Sequence, residues 1–409
     1  MRYGPRLLFV LLLLCLLALP GLGRLAAWKT GGVSLLYASP GKTEAPSQTA
    51  APLTAEGENS PAAMAAPVVA GYYPWYARLD GYLPGDLPAE LLTHLHYAFA
   101  GIDETGRVRL ENPREDLASF AGLRGLREEF PGLMTLLSIG GWDGSQNFSL
   151  AARDEEHRRA FARSAAALME EQGFDGLDLD WEFPVSGGKE GTLHHPEDGE
   201  NYLRLLQAVR EELDARGKAA GRDYLLTAAV SPGSSFLTNV PLAELAEPVD
   251  YLFLMGYDQN GPWDALTGRN APLSAGDGGI KAAVERYLAA GVPREKLVLG
   301  TPFYGYLYRL EREIPGQEGL PFASAEPVGY DAITARWLGE GTRRFDPEGE
   351  VPWLSGEGWY LSYDDPSSIA TKGRYARDQG LRGAGAWELS QDREGRLLGA
   401  LWQSLRQYR

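Results

Sequence analysis

Residues 174–184 read FDGLDLDWEFP. Within them Asp178, Asp180 and Glu182 are spaced by two, flanked and separated by Leu177, Leu179 and Trp181. Two is the period of a strand, so the three acids share one face and the three apolar groups share the other. Three neighbouring carboxylates repel. Such a row is tolerable where the groups share protons, and that sharing drives their pKa values apart. A solvated edge strand could also carry a polar face. Such faces usually mix charge signs, and Leu and Trp on the reverse demand burial. A functional acid cluster is the better reading, and the rest of the chain decides what it serves.

Around this stretch, short apolar runs recur: VVAGYY (68–73), HLHYAFA (94–100), LMTLLSI (133–139), GLDLDWE (176–182), LLTAAVS (225–231), YLFLMGY (251–257), LVLGTP (297–302) and GAGAWE (383–388). Most are bounded by turn residues. Helical patterns lie between them. In 154–172, Phe161, Ala165, Leu168 and Met169 form one apolar stripe, and 201–217 is similar. Strand alternating with helix eight times predicts an α/β fold, a (β/α)8 TIM barrel. A doubly wound open sheet is the alternative, and the lack of a glycine-rich phosphate loop after the first strand counts against it. The interval between strands seven and eight is too long for one helix. Its Trp- and Tyr-rich pieces predict a small α+β insertion at about 306–361, walling the catalytic face.

In such a barrel the acid row stands at the C-terminal end of strand four, the end where these barrels carry their active sites. Other strand ends bring Tyr73 and Trp75, Trp142, Tyr257 and Asp258, and Trp387 and Glu388 to the same mouth. Any one aromatic is plausible as core. Several converging on an acid row predict a flat apolar ligand such as a sugar ring.

The chain has 409 residues, 23% charged and 44% hydrophobic, with a formal net charge of −16. Length and composition allow a large core. The acidity argues against nucleic acid and anionic membrane surfaces as partners. At the N-terminus, Arg2 and Arg6 precede an uncharged apolar run from Leu7 to Leu19, then Pro20. The run suits a signal peptide over 1–23 and a secreted protein. An uncleaved membrane tether is the alternative. Cys15 is the only cysteine and lies within that run, so the mature protein has no disulfide and relies on its core. Residues 24–67, rich in Pro, Ala, Ser and Thr from about Gly31, form a disordered linker in this reading. The folded domain is expected over 68–409.

DGLDLDWE resembles the DxxDxDxE signature of family 18 glycoside hydrolases, the chitinases. SIGGW (138–142), MGYD (255–258), the stretch from Asp180 to Tyr202 and GAGAWELSQD (383–392) resemble further family segments, in order. The interval after strand seven resembles the insertion domain of bacterial members. Glycoside hydrolysis needs a protonated acid at the leaving oxygen and a group that stabilises the anomeric carbon. Acids on one strand face cannot flank a sugar from opposite sides. The resemblance implies substrate assistance instead, in which the sugar's own N-acetyl carbonyl attacks and configuration is retained. It implies Glu182 as general acid and then base, and Asp180 as acetamide partner and proton sharer. It implies Asp178 as the holder of that proton at rest, and Tyr257 as a donor to the attacking carbonyl. Asp258 would orient the sugar and Trp387 would floor the reactive subsite. Trp142 and Trp263 would face the leaving group, Tyr73 would line the pocket wall, and Met255 favours chitin. Tyr306 stands where relatives often carry Arg.

The function so implied is hydrolysis of β-1,4 bonds between N-acetylglucosamine units by an exported enzyme, with chitin or its oligosaccharides as partner. Hydrolysis of peptidoglycan or N-glycan cores is the alternative. A chitin-binding lectin is less compatible, because Glu182, Asp180 and Tyr257 are all retained. No cofactor or metal is expected: His194 and His195 lack metal-ligand spacing, and the implied mechanism needs none. A monomer is expected, with no stable membrane partner unless the N-terminal segment is retained.

Overall fold

Parallel strands buried on both faces must be almost wholly apolar, and the short runs meet that demand. The computed structural model describes residues 66–276, 278–312 and 317–406. The expected signal peptide, and the linker up to position 65, lie outside the described residues. Strands β1 (Val68–Pro74), β2 (His94–Ile102), β3 (Met134–Gly140), β4 (Gly176–Asp180), β5 (Leu225–Val230), β6 (Tyr251–Met255) and β7 (Leu297–Pro302) pair in parallel in chain order. Five antiparallel strands follow: β8 (Tyr304–Leu310), β9 (Phe322–Gly329), β10 (Thr342–Asp346), β11 (Val351–Gly356) and β12 (Trp359–Ser362). They form a separate sheet in the order β9-β8-β12-β11-β10. The chain then returns as β13 (Gly383–Trp387), which pairs with β7 on one side and β1 on the other. Because β1 also pairs with β2, the eight parallel strands close into a barrel.

The helices cover the outside of this barrel. Helix α1 (Glu155–Gln172) begins where the Asp154 carboxylate accepts the His157 backbone N–H, and ends at Gly173, whose φ of 78° suits glycine. It buries Phe161, Ala165 and Met169, with Leu168 half-buried at the margin of the stripe. It packs on α2 (Asp198–Ala220), which buries Tyr202, Leu205, Leu206, Val209 and Leu213. Two strands end two residues before their apolar runs: β4 stops at Asp180 and β6 at Met255. In both cases the residues that follow leave the ladder to build the mouth.

The five-stranded sheet is joined to the barrel by a buried ion pair. Asp364, just after β12, meets Lys372 on α3 (Pro366–Asp378), and each side chain is 1% exposed. The Ser368 hydroxyl also donates to Asp364. Burial pushes the Asp364 pKa up and the Lys372 pKa down, and in each case the partner's charge opposes the shift. Removing one member strands the other charge in the interior. Lys372→Met is therefore expected to lower stability by about 3–5 kcal/mol. The double variant Asp364→Asn/Lys372→Met should recover part of that loss. Urea unfolding of the three proteins measures both effects, and a Lys372→Met midpoint equal to wild type would refute the reading.

Candidate active site

Parallel register places the first acid. Asp178 on β4 lies beside Ser138 on β3 and Thr227 on β5. Both hydroxyls donate to its carboxylate, Ser138 at 2.8 Å and Thr227 at 2.6 Å. The Tyr72 hydroxyl donates at 2.9 Å from β1, and His96 Nδ1 on β2 stands 3.3 Å away. Asp178 is fully buried. Burial alone would raise its pKa. The contact with His96 and the hydroxyl donors outweigh that, and the carboxyl is held below its ordinary value. Asp178 was expected to hold the row's resting proton; its ring of donors favours the anion instead.

Further up the row the shifts run the other way. Asp180 is buried, and its Oδ1 has no hydrogen-bond partner. Burial, then the charges of Glu182 and Asp178, push its pKa well above the ordinary carboxylate value. Glu182, half-buried at the cleft, is pushed up to about 8 by burial, then by Asp258 and Asp143. Both shifts favour a proton shared by the Asp180–Glu182 pair. One ionised and one protonated member is the arrangement acid–base chemistry needs from such a row.

A local turn aims Glu182. The Ser145 hydroxyl accepts the Glu182 backbone N–H at 2.9 Å and lies 2.8 Å and 3.1 Å from the carbonyls of Gly141 and Asp180. Trp181 is buried on the reverse side, stacked on Phe148 at 5.2 Å and edge-on to Tyr202 at 5.3 Å. The glycines of SIGGW answer to the same close fit. A Cβ on Gly140 would lie 2.3 Å from the Asp180 carbonyl oxygen, and φ is 105° there.

Around the row, Met255 closes β6 and Tyr257 is buried just beyond it. Asp258 opens to the cleft with φ 57°. Its Oδ1 accepts from the hydroxyls of Tyr304 and Tyr306, the latter at 2.9 Å. Tyr306 thus makes a polar contact here without a guanidinium. Trp387 ends β13, stacked on Phe99 at 5.7 Å and edge-on to Tyr72 at 5.5 Å. Trp142 is 50% and Trp263 61% exposed, and Trp263 stands edge-on to Tyr306 at 5.8 Å.

Tyr73 is not part of the wall. Its hydroxyl donates to the Tyr82 carbonyl at 2.6 Å and its ring neighbours Tyr97, in the outer packing layer. Strand alternation sends Tyr72 inward instead. Sequence reasoning missed Tyr72, His96, Ser138, Thr227, Ser145 and Tyr304. Ser138 lay inside a motif already singled out, and Tyr72 was one residue out of phase. Nothing short of the register placed Thr227 and His96 beside Asp178. His194 and His195 are exposed. Among the described residues no group of three or more His, Cys, Asp or Glu could hold a metal ion.

The closed barrel with its partly protonated carboxyl row defines a hydrolase-type site, and comparison with known proteins makes the class definite. Residues 68–392 match the family described as Glycosyl hydrolases family 18. The chain belongs to that family and is a glycoside hydrolase. It is 34% identical to Chitinase A1 of Niallia circulans over 85% of this chain, and spans 59% of that relative's length. A family 18 N-acetylglucosaminidase from Paenibacillus barengoltzii superposes with a TM-score of 0.76 at 33% identity, covering 83% of this chain and all of the other. A Glu-to-Gln variant of a class V chitinase from Nicotiana tobaccum, in complex with NAG4, superposes with a TM-score of 0.76 at 28% identity, over 83% of this chain and 99% of the other.

After burial, the charge of Asp258 acts most strongly on Glu182. A nearby negative charge favours the protonated acid, so removing it lowers the Glu182 pKa. In Asp258→Asn the alkaline limb of kcat/KM should move to lower pH by roughly half a unit, since solvent in the cleft screens the charge. The profile on a soluble glycoside measures this. A limb that stays in place or moves to higher pH contradicts the assignment.

Proposed function

We propose that this chain is a chitinase that hydrolyses β-1,4 bonds between N-acetylglucosamine units with the substrate's own acetamide as nucleophile. The observation that carries the reading is the unequal setting of the acid row: Asp178 receives three hydroxyl donors, Asp180 has a buried Oδ1 without a partner, and Glu182 stands at the cleft with its pKa pushed up. Glu182 donates its proton to the glycosidic oxygen as the C1–O bond breaks. The N-acetyl carbonyl oxygen attacks C1 from the other side and forms an oxazolinium ion. Asp180 accepts from the acetamide N–H and Tyr257 donates to its carbonyl. Glu182, now a carboxylate, takes a proton from the water that opens the oxazolinium, and the cycle closes.

A nucleophilic protein carboxylate fits poorly. Asp178, Asp180 and Glu182 come from one stretch of chain, and Asp258 is tied by two tyrosine hydroxyls. Trp387 is suited to floor the reactive sugar, and the exposed Trp142 and Trp263 to take rings on the leaving side. Met255 lies beside Tyr257 at the end of β6 and completes the sugar-binding set. The relatives named above as chitinases support chitin as the substrate class. Placement outside the cell belongs to the same proposal and rests on the basic–apolar segment at residues 2–20. The full-length match to an N-acetylglucosaminidase favours a second reading, release of single sugars from chain ends.

Glu182→Gln keeps the side chain's shape and loses its proton. It should cut turnover of an N-acetylglucosamine hexamer by about 10²–10⁴-fold while leaving oligomer binding intact. Near-wild-type turnover would remove Glu182 from the acid role. Two inversions at C1 should leave the fresh reducing end β at the earliest times, which proton NMR reads directly. A mainly α product would refute acetamide participation. Chromatography of the same digest, beside a peptidoglycan control, separates the readings. Mixed oligomers support chitinase action, monomer from the outset supports the second reading, and cleavage of peptidoglycan alone overturns both.

A further inference from the structure

The interior of a barrel of this type is normally filled by branched apolar side chains. Here a polar column runs beneath the acid row. His96 on β2 is fully buried. Its Nε2 lies 2.6 Å from the Tyr251 hydroxyl on β6, and its Nδ1 lies 3.3 Å from Asp178 Oδ2. Its ring lies 4.6 Å from that of Tyr72 on β1, whose hydroxyl donates to the same carboxylate oxygen. Two residues down the strand, His94 stands edge-on to Tyr251 at 5.5 Å, with its Nδ1 2.8 Å from the Thr93 hydroxyl. These are the groups that face His96: Tyr72 from β1, Asp178 from β4, Tyr251 from β6, and His94 on its own strand. Arg382 acts electrostatically on both His94 and Tyr251, and Asp250 on Tyr251.

Nδ1 of His96 makes no aligned hydrogen bond, and its nearest charged neighbour is Asp178 Oδ2 at 3.3 Å. A lone pair on Nδ1 beside an anionic carboxylate would be repelled. An N–H there is attracted. Tyr251 supports this from the opposite side, because its hydroxyl can donate to Nε2 and leave the hydrogen on Nδ1. His94 does not compete for the role. Burial, then His96 and Arg382, push its pKa down to about 3, so it is neutral at working pH.

We propose that His96 is a positioning residue of the acid row: its Nδ1–H, aimed by Tyr251, keeps Asp178 anionic and so confines the row's proton to Asp180 and Glu182. This rests on the acid–base roles proposed above and adds to them a buried group that never meets the substrate. The sign of its effect follows from linkage. Losing the Nδ1–H raises the Asp178 pKa, so as pH falls Asp178 takes up a proton earlier. The acidic limb of activity then moves to higher pH.

The test has two arms. Nitrogen-15 histidine labelling of the unmodified protein reads which ring nitrogen of His96 carries hydrogen, the signal being assigned by its loss in His96→Asn. Nδ1 should carry hydrogen from about pH 5 to pH 8. A bare Nδ1 across that range overturns the proposal. The second arm compares kcat and KM against pH for His96→Leu and His96→Asn. The leucine variant should lose about tenfold or more in kcat, shift its acidic limb up by about one unit, and keep its KM. The asparagine variant, whose side-chain N–H₂ can replace Nδ1–H, should restore the limb. A folded leucine variant with the wild-type limb, or equal damage in both variants without a shift, means that His96 only fills space. The labelling arm uses no substrate, so it stands if the leucine variant fails to fold. It also separates an error about His96 from an error about the substrate.

Discussion

A carboxylate deep inside a barrel is costly unless donors surround it, and Asp178 is surrounded. Its hydroxyl donors come from β1, β3 and β5, and His96 of β2 stands 3.3 Å away; barrel closure brings these strands around β4. Closing the barrel and stabilising the anion are thus the same event. Above Asp178, burial and then the charges of Glu182 and Asp178 disfavour ionisation of Asp180, while burial and then Asp258 and Asp143 act on Glu182 at the cleft. The buried anion is one of the parts of the fold that bear on the protonation of Asp180.

The second constraint is how the chain leaves β4. Trp181 must reach the outer layer against Phe148 while Glu182 turns back to the mouth. Ser145 ties that turn to the segment after β3 through the Glu182 backbone N–H. Gly140 lets that segment approach closely enough to do so. The position of the acid at the cleft is therefore decided by two loops packed together rather than by the strand alone.

The five-stranded sheet has a comparable double role. Its first strand supplies Tyr304 and Tyr306, which hold Asp258 by hydroxyls alone. Burial raises the Asp258 pKa and the two hydroxyls oppose that rise, its charge bears on Glu182, and Trp263 packs against the same Tyr306. The buried pair of Asp364 and Lys372 anchors the sheet's return to the barrel. Support for the cleft wall and electrostatic control of the acid thus share one element.

Much of this was legible in the chain itself. Eight apolar runs alternating with helical patterns pointed to a parallel sheet covered by helices on its faces, and eight repeats without a glycine-rich phosphate loop favoured the barrel over an open sheet. Spacing by two determined that Asp178, Asp180 and Glu182 stand together, and strand polarity determined that they stand at the mouth. Trp142, Tyr257, Asp258 and Trp387 were legible as strand-end residues for the same reason, whereas Met255 and Trp263 came only from the family resemblance. Phase around the barrel was not. Choosing Tyr72 over Tyr73 needs to know which face of β1 looks inward, and both faces are apolar. The protonation order was not legible either, since three like acids in a row carry no mark of which one is ionised. Only tertiary structure decides that, by bringing Ser138, Thr227, Tyr72 and His96 from four other strands to the first acid and none of them to the next.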